Sequence, residues 1–391
     1  MPHSEEQRRA IALLAVAAFV SGANLRVADP LIPKLAQDFS ASVGAAASVI
    51  SAFTLAYALF QIVHGPLGDR IGTLRTVTIG MFIAAAAAFA SAAAPSLALL
   101  SLGRFLTGMG AAAVIPLSLA FIGDNVPYER RQLVLGRFIG AVLTGQVFGP
   151  LLAGALSDYL SWRAVFVVIG AVFAAVGLRL LPAARRPQPA PAAPRANPVA
   201  QYAQLARDRW VRVVVLTVAM EGFLFYGAFA YLGAYLKSAF GIGYLLIGLL
   251  LAGFSVGGVI YSLLVKWLVP RLRERGLAIA GGALLLACFL GIALMPSWPL
   301  TVPFFVASGL AFYMLHNTLQ TKATEMAPQA RGAGVSFFAF CLFLGQAAGA
   351  AAFGPAIELL GYRTMFAFAG AALLLLAVEF RRRLGKPPAA T

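Results

Sequence analysis

Charge is what this sequence has least of. Asp, Glu, Lys and Arg make up only 11% of its 391 residues, against roughly 25% in a soluble domain. A water-soluble fold of this length needs a polar coat that the chain cannot supply, so lipid must be the solvent for most of its surface. Cysteine is nearly missing too: Cys288 and Cys341 both lie inside apolar runs, which excludes a disulfide framework and makes them small core hydrophobes. With three histidines and no HxxxH or Cys/His cluster, no metal site is offered. There is no Gly-x-x-x-x-Gly-Lys-[Ser/Thr] loop to cradle a nucleotide phosphate and no soluble segment long enough to add one. An enzyme is therefore not expected, no cofactor is called for, and energy must come from ion gradients. The net charge of +16 would ordinarily raise nucleic acid as a partner. The basic residues instead fall almost wholly between apolar runs, which excludes it.

Apolar residues are abundant, at 61%. A span of about 20 residues fills a bilayer core of roughly 30 Å, and twelve candidates can be read between polar or Gly/Pro breaks. They cover about 11–33, 43–64, 74–94, 97–121, 133–156 and 162–181, then about 210–236, 243–267, 276–294, 299–321, 332–356 and 362–380. Helices satisfy their own backbone groups, as hydrocarbon demands, so the fold class is all-α integral membrane. The first apolar run is too long for a signal-peptide core and has no small-residue cleavage site after it, so it reads as span 1.

Orientation follows from Lys and Arg. With the N-terminus inside, about 24 of the 30 basic residues fall in cytoplasmic segments, and only Lys34, Arg163, Lys237 and Arg363 lie outside. Both termini are expected in the cytoplasm. Residues 182–209 carry six prolines among alanines and arginines (Pro182, Pro187, Pro189, Pro191, Pro194 and Pro198), a composition that favours an extended cytoplasmic connector. It separates an N-terminal bundle over 1–181 from a C-terminal bundle with a short basic tail over 210–391. An internal repeat supports that division. Gly145-Gln146, Gly149, Gly154, Arg163, Phe166 and Gly170 recur as Gly345-Gln346, Gly349, Gly354, Arg363, Phe366 and Gly370, all at one offset of about 200. Spans 5–6 and 11–12 are thus equivalent, and parallel repeats with a site between them at the midplane describe one large transporter class.

Three motifs carry a resemblance. After span 2 the chain reads Gly65-Pro66-Leu67-Gly68-Asp69-Arg70-Ile71-Gly72-Thr73-Leu74-Arg75. Its glycines and proline predict a tight cytoplasmic turn, with Asp69, Arg70 and Arg75 able to form a charge cluster at the helix ends. In span 4, Arg104-Phe105-Leu106-Thr107-Gly108 places an arginine inside an apolar helix, which is expensive unless it pairs or faces water. Span 5 reads Gly145-Gln146-Val147-Phe148-Gly149-Pro150-Leu151-Leu152-Ala153-Gly154, whose small residues let helix backbones approach closely. The first resembles the Gly-x-Leu-x-Asp-Arg-x-Gly-Arg-Lys signature of the Major Facilitator Superfamily, departing from it at Thr73 and Leu74. The second resembles that superfamily's Arg-x-x-x-Gly motif. The third is similar to the Gly-x-x-x-Gly-Pro-x-x-Gly-Gly motif of its antiporters, with Ala153 for one glycine. The resemblance covers nearly the whole chain and looks closest to the twelve-helix drug:proton antiporter branch. It implies two pseudo-symmetric six-helix bundles, alternating access around a central cavity, and a bacterial inner-membrane protein sufficient as a monomer.

The resemblance places spans 1, 4, 7 and 10 around that cavity, where each polar group is a candidate because it is costly in a membrane. Substrate-cavity candidates are Asn24, Tyr226, Tyr231, Tyr313, Asn317 and Gln320, with Gln146 and Gln346 in spans 5 and 11. Proton coupling needs a carboxyl whose proton affinity changes as it is buried, wetted or paired. Asp29 and Glu221 alone sit well inside spans, with Arg26 and Arg104 to set their affinities and His316 as a further titratable candidate. Arg26 is three residues from Asp29, close enough to be simply its counter-ion. The expected function is proton-coupled efflux of a small organic or drug-like compound. A metabolite symporter or facilitator on the same fold is the alternative, and a non-transporting membrane sensor or enzyme would want an extramembrane domain or catalytic constellation that is not there.

Overall fold

A computed structural model describes residues 5–186, 198–326 and 331–384. All regular structure among these residues is helical. Eleven helical stretches are long and apolar enough to cross a membrane. One of them, Tyr244–Leu294, has 51 residues and would extend roughly 76 Å if straight, more than twice a bilayer core. It breaks at Arg273 (φ 52°, ψ 176°), three residues beyond Pro270, where the backbone leaves the helical region. Its two arms are spans 8 and 9, which makes twelve crossings.

In the first half, span 1 is the helix Glu5–Arg26 followed by a 3-10 turn at Asp29–Leu31 and the helix Ile32–Asp38. Spans 2 to 6 are Ser48–Ile71, Thr73–Ala92, Leu97–Asn125 (with a break near Ala112), Tyr128–Tyr159 and Trp162–Ala184. In the second, span 7 starts as Arg209–Glu221 and ends as Leu232–Phe240, and spans 10, 11 and 12 are Val302–Glu325, Arg331–Leu360 and Tyr362–Arg383.

Two local expectations need correction. The segment from Gly65 is not a tight turn: the helix of span 2 runs on through Pro66 to Ile71, and the chain reverses at Gly72 alone (φ 99°, ψ 141°). That backbone region is open only to glycine. Beyond the reversal, Arg75 donates to the carbonyls of Ala184 (2.9 Å) and Arg185 (3.4 Å). The last carbonyls of span 6 have no helical partner and take a cation readily. In the connector, Pro198–Leu205 forms a helix rather than extended chain, because proline is well suited to the first helical position. Residues 187–197 lie outside the described residues.

The two halves repeat each other contact by contact. Gly145 and Gly149 of span 5 press on the carbonyls of Phe19 and Ala23 in span 1, while Gly345 and Gly349 of span 11 press on those of Ala219 and Phe223 in span 7. Gly22 meets Val142 as Gly222 meets Leu342. Spans 2 and 4 touch at Phe53 and Gly108, and spans 8 and 10 at Phe254 and Gly309. The duplication therefore reaches spans 1, 2, 4, 7, 8 and 10, where only scattered letters such as Gly22/Gly222, Phe53/Phe254 and Gly108/Gly309 still match.

We call the end that holds Glu5 and Arg383 the terminal end, and the other the distal end. The halves are sealed against each other from the middle to the distal end. Gly154 packs on Tyr244 and Leu245, Gly248 on Pro150, Gly354 on Gly44, and Tyr57 on Phe343 with ring centroids 4.7 Å apart. Asp158 accepts hydrogen bonds from the backbone N–H of Tyr244 (3.0 Å) and Leu245 (2.7 Å), capping span 8 from the opposite half. Towards the terminal end, Gly65, Gly123, Gly136 and Gly140 would each meet open space within 4 Å if given a side chain.

Candidate functional site

Two buried polar clusters face the middle of the bundle. The first lies towards the distal end. Arg104 of span 4 is 1% exposed; its Nη1 donates to Asn24 Oδ1 at 2.6 Å and its Nη2 to the Asn24 carbonyl at 3.1 Å. That carbonyl is free because the helix of span 1 stops at Arg26, leaving its last turn without intrahelical donors. The Arg104 guanidinium also lies 4.2 Å from the Phe53 ring centroid and 5.7 Å from that of Phe166. A cation so far from water is stabilised by aromatic faces by about 2 kcal/mol.

Arg26 sits 3.7 Å from Asp29 Oδ2, an ion pair too long to be a hydrogen bond. The pair is made across the break after span 1's helix, not along a continuous helix face. Its guanidinium crosses to the other half and stacks 4.1 Å from Tyr226, with Phe229 at 5.5 Å and Phe254 at 6.0 Å. The Nε atoms of Arg26 and Arg104 and the Nδ2 of Asn24 have no protein partner, so this cluster holds more donors than its own acceptors satisfy.

The second cluster is in the other half. Glu221 Oε2 and His316 Nδ1 are 2.7 Å apart and share a hydrogen bond in which either can hold the proton. Glu221 is 0% exposed and His316 only 7%. The imidazole is stacked on Phe312 (centroids 4.9 Å, 14° between planes) and flanked by Phe338 at 5.4 Å. Span 7 changes its winding immediately after the carboxylate, with a π-helical turn over Gly222–Tyr226. Such widened turns recur at functional sites. Gly222 closes against Leu342 of span 11 and lies beside the Gln346 amide, and Gln346 is itself buried with Oε1 unpaired.

Tyr226 belongs to the first cluster through the Arg26 guanidinium stacked on its ring. The other candidates scatter. Tyr313 is half-buried and stacked on Phe254 and Tyr261. Asn317 is half-buried, Gln320 is exposed and Gln146 is half-buried. Tyr231 is committed elsewhere: its hydroxyl donates to the Ala350 carbonyl at 2.6 Å, pinning span 7 to span 11.

Sequence reasoning missed the aromatic walls that accept both arginines, the π turn and the capping role of Asp158. The run of aromatics along span 7, with Tyr226 and Phe229 three apart, was a signal for the wall that receives Arg26. Nothing local announces a pairing between residues 221 and 316.

The MFS-type transporter YwfA of Bacillus subtilis is 26% identical over 386 residues, covering 95% of this chain and 92% of that protein. The multidrug export protein EmrB of Haemophilus influenzae is 30% identical over 155 residues, which is 40% of this chain and 30% of that one. Among solved structures, a bacterial homologue of the human lysosomal transporter Spinster, inward-facing and unoccupied, aligns over 97% of this chain and 96% of its own with a TM-score of 0.76 at 18% identity. The family model described as the Major Facilitator Superfamily matches residues 14–350. With that match over most of its length and the same fold around its buried polar centre, the chain belongs to the Major Facilitator Superfamily and is a membrane transporter, not an enzyme.

Proposed function

We propose that this transporter exports a small amphipathic organic compound in exchange for protons moving the other way. The observation that carries the reading is the buried Glu221–His316 pair, an acid and a base 2.7 Å apart in a region where an ionisable group is otherwise too costly to keep. A second carboxylate, Asp29, is buried 3.7 Å from Arg26, so that each half supplies one group able to take up a proton. A proton on either changes the attraction between neighbouring spans, and that change drives the alternation. Arg104 and Arg26 set the charge that Asp29 meets, and the aromatic wall of Tyr226, Phe229 and Phe254 gives an apolar body somewhere to lie. Support for export comes from Pro150 and Gly154 of span 5, which help build the distal seam, and from the likeness to a multidrug export protein.

The same reading places the protein in a bacterial inner membrane with both ends in the cytoplasm. It works there as a monomer with no bound cofactor, and residues 1–181 and 210–391 rock about the connector at 182–209. Arginine density at the terminal end supports that orientation.

The test begins with a thermal-shift screen of amphipathic compounds on the purified protein, because a ligand of the folded state raises its stability. A compound so selected is then offered to proteoliposomes whose protein has its distal end facing the lumen. Antiport predicts accumulation when the lumen is acidic. Accumulation only with an alkaline lumen establishes symport, and movement indifferent to the gradient establishes a facilitator; either contradicts the proposal.

A further inference from the structure

A groove of about 480 Å³ runs up the outside of the second half at the terminal end, between spans 7 and 12. It belongs to neither polar cluster. Its mouth is basic, with Arg209, Arg212 and Arg383, and its walls are apolar, with Leu216 and Met220 on one side and Leu376 on the other. The cations are not equivalent. Glu379 is held by Arg383 at 2.7 Å and Arg382 at 4.0 Å. Among the described residues the side chains of Arg209 and Arg212 make no hydrogen bond or ion pair, and Asp208, the nearest acid in sequence, is spent on the backbone N–H groups of Trp210 and Val211.

Geometry decides what such a groove fits. Arg209, Arg212, Leu216 and Met220 recur at helical spacing along one face of span 7. From Arg209 to Met220 the helix rises about 16 Å, close to half of a roughly 30 Å bilayer core. Leu216 is 67% exposed and Met220 45%, surface that only lipid can cover. Two unpaired cations therefore sit at the interface, above an apolar channel one leaflet deep.

We propose that this groove binds one anionic phospholipid, its phosphate between Arg209 and Arg212 and an acyl chain lying along Leu216 and Met220. Charge complementarity selects the headgroup, and the length of the channel selects a lipid over a free anion. Span 7 carries Glu221 and the π turn, so the lipid holds the outer face of the helix whose inner face carries the second cluster.

The experiment uses the full chain in detergent with phosphatidylglycerol or phosphatidylcholine of the same acyl chains, read by native mass spectrometry and by the unfolding midpoint. Phosphatidylglycerol should be retained and should raise the midpoint more than phosphatidylcholine. Arg209→Gln/Arg212→Gln should weaken phosphatidylglycerol by roughly thirtyfold, at about fivefold per arginine, and leave phosphatidylcholine unchanged. Arg209→Lys/Arg212→Lys should keep most of the effect, showing that the fold survives change at these positions. Arg8→Gln/Arg9→Gln, which removes the same charge elsewhere at the terminal end, should leave it intact. Equal binding of the two lipids overturns the proposal, as does an equal loss in the Arg8/Arg9 variant. Full competition by soluble glycerol phosphate also overturns it, because the site would then be one for a free anion.

Discussion

The two halves share a backbone register but not a chemistry. Arg26 and Asp29 correspond, at an offset of 200, to Tyr226 and Phe229; Glu221 corresponds to Ser21. At the offset of 201 that relates spans 4 and 10, Arg104 corresponds to Phe305 and His316 to Ile115. Each of these buried charges thus has an aromatic, aliphatic or hydroxyl side chain at its equivalent place. The contact between Arg26 and Tyr226 is one between such mates, 4.1 Å apart across the seam. Near an approximate two-fold axis, equivalent residues meet, so a charge kept in both copies would confront itself. Divergence of the charges, with the glycine contacts retained, turns two copies of one bundle into a single asymmetric site.

The contrast can be broken most severely by restoring the symmetry of charge. Tyr226→Lys sets a second cation against Arg26 in a buried seam and should cost about 3–5 kcal/mol, read as loss of folded protein in a detergent unfolding titration. Tyr226→Phe keeps the ring and should stay near wild type. A large effect is also expected where the halves agree. Gly149→Val and Gly349→Val both drive a side chain into backbone, at Ala23 and Phe223, and should each destabilise by about 3 kcal/mol, whereas Gly140→Ala, which meets open space, should be almost silent. The same titration checks all three.

Smaller effects separate the polar halves. Arg104→Met strands the buried Asn24 acceptors and should cost about 2–3 kcal/mol, while Phe305→Leu at the equivalent position should cost less than about 1.5 kcal/mol. Smallest is the distal seal. Asp158→Ala removes a cap on span 8 worth about 1 kcal/mol and should raise the distally open population about fivefold, read from spin-label distances across that end. Glu358, its counterpart at an offset of 200, approaches Gly44 without a resolved hydrogen bond, so Glu358→Gln should shift the population less.

The spans and their pairing were legible because hydrophobic length and glycine spacing act locally. The repeat was visible only in spans 5–6 and 11–12, where Gln146, Arg163 and Phe166 keep their letters. In spans 1, 2, 4, 7, 8 and 10 it survives as geometry, carried by backbone contacts at Gly22, Gly222, Gly108 and Gly309 that tolerate changes in neighbouring side chains. The turn after span 2 was misplaced because Pro66 and three glycines mark a break without saying which residue makes it; positive φ at Gly72 does. Individual site residues stood out as polar letters in apolar runs. Their partners did not, since Glu221 meets His316 and Arg26 meets Tyr226 only through the packing of helices far apart in sequence.

The account rests on a proton held by the Glu221–His316 pair. Its most direct test loads proteoliposomes with a pH-sensitive dye and adds the compound selected by thermal shift to wild type and to Glu221→Gln. Wild type should move protons against the compound, and the variant should bind and exchange the compound with proton movement reduced at least tenfold. Proton movement at the wild-type rate in Glu221→Gln would contradict the account.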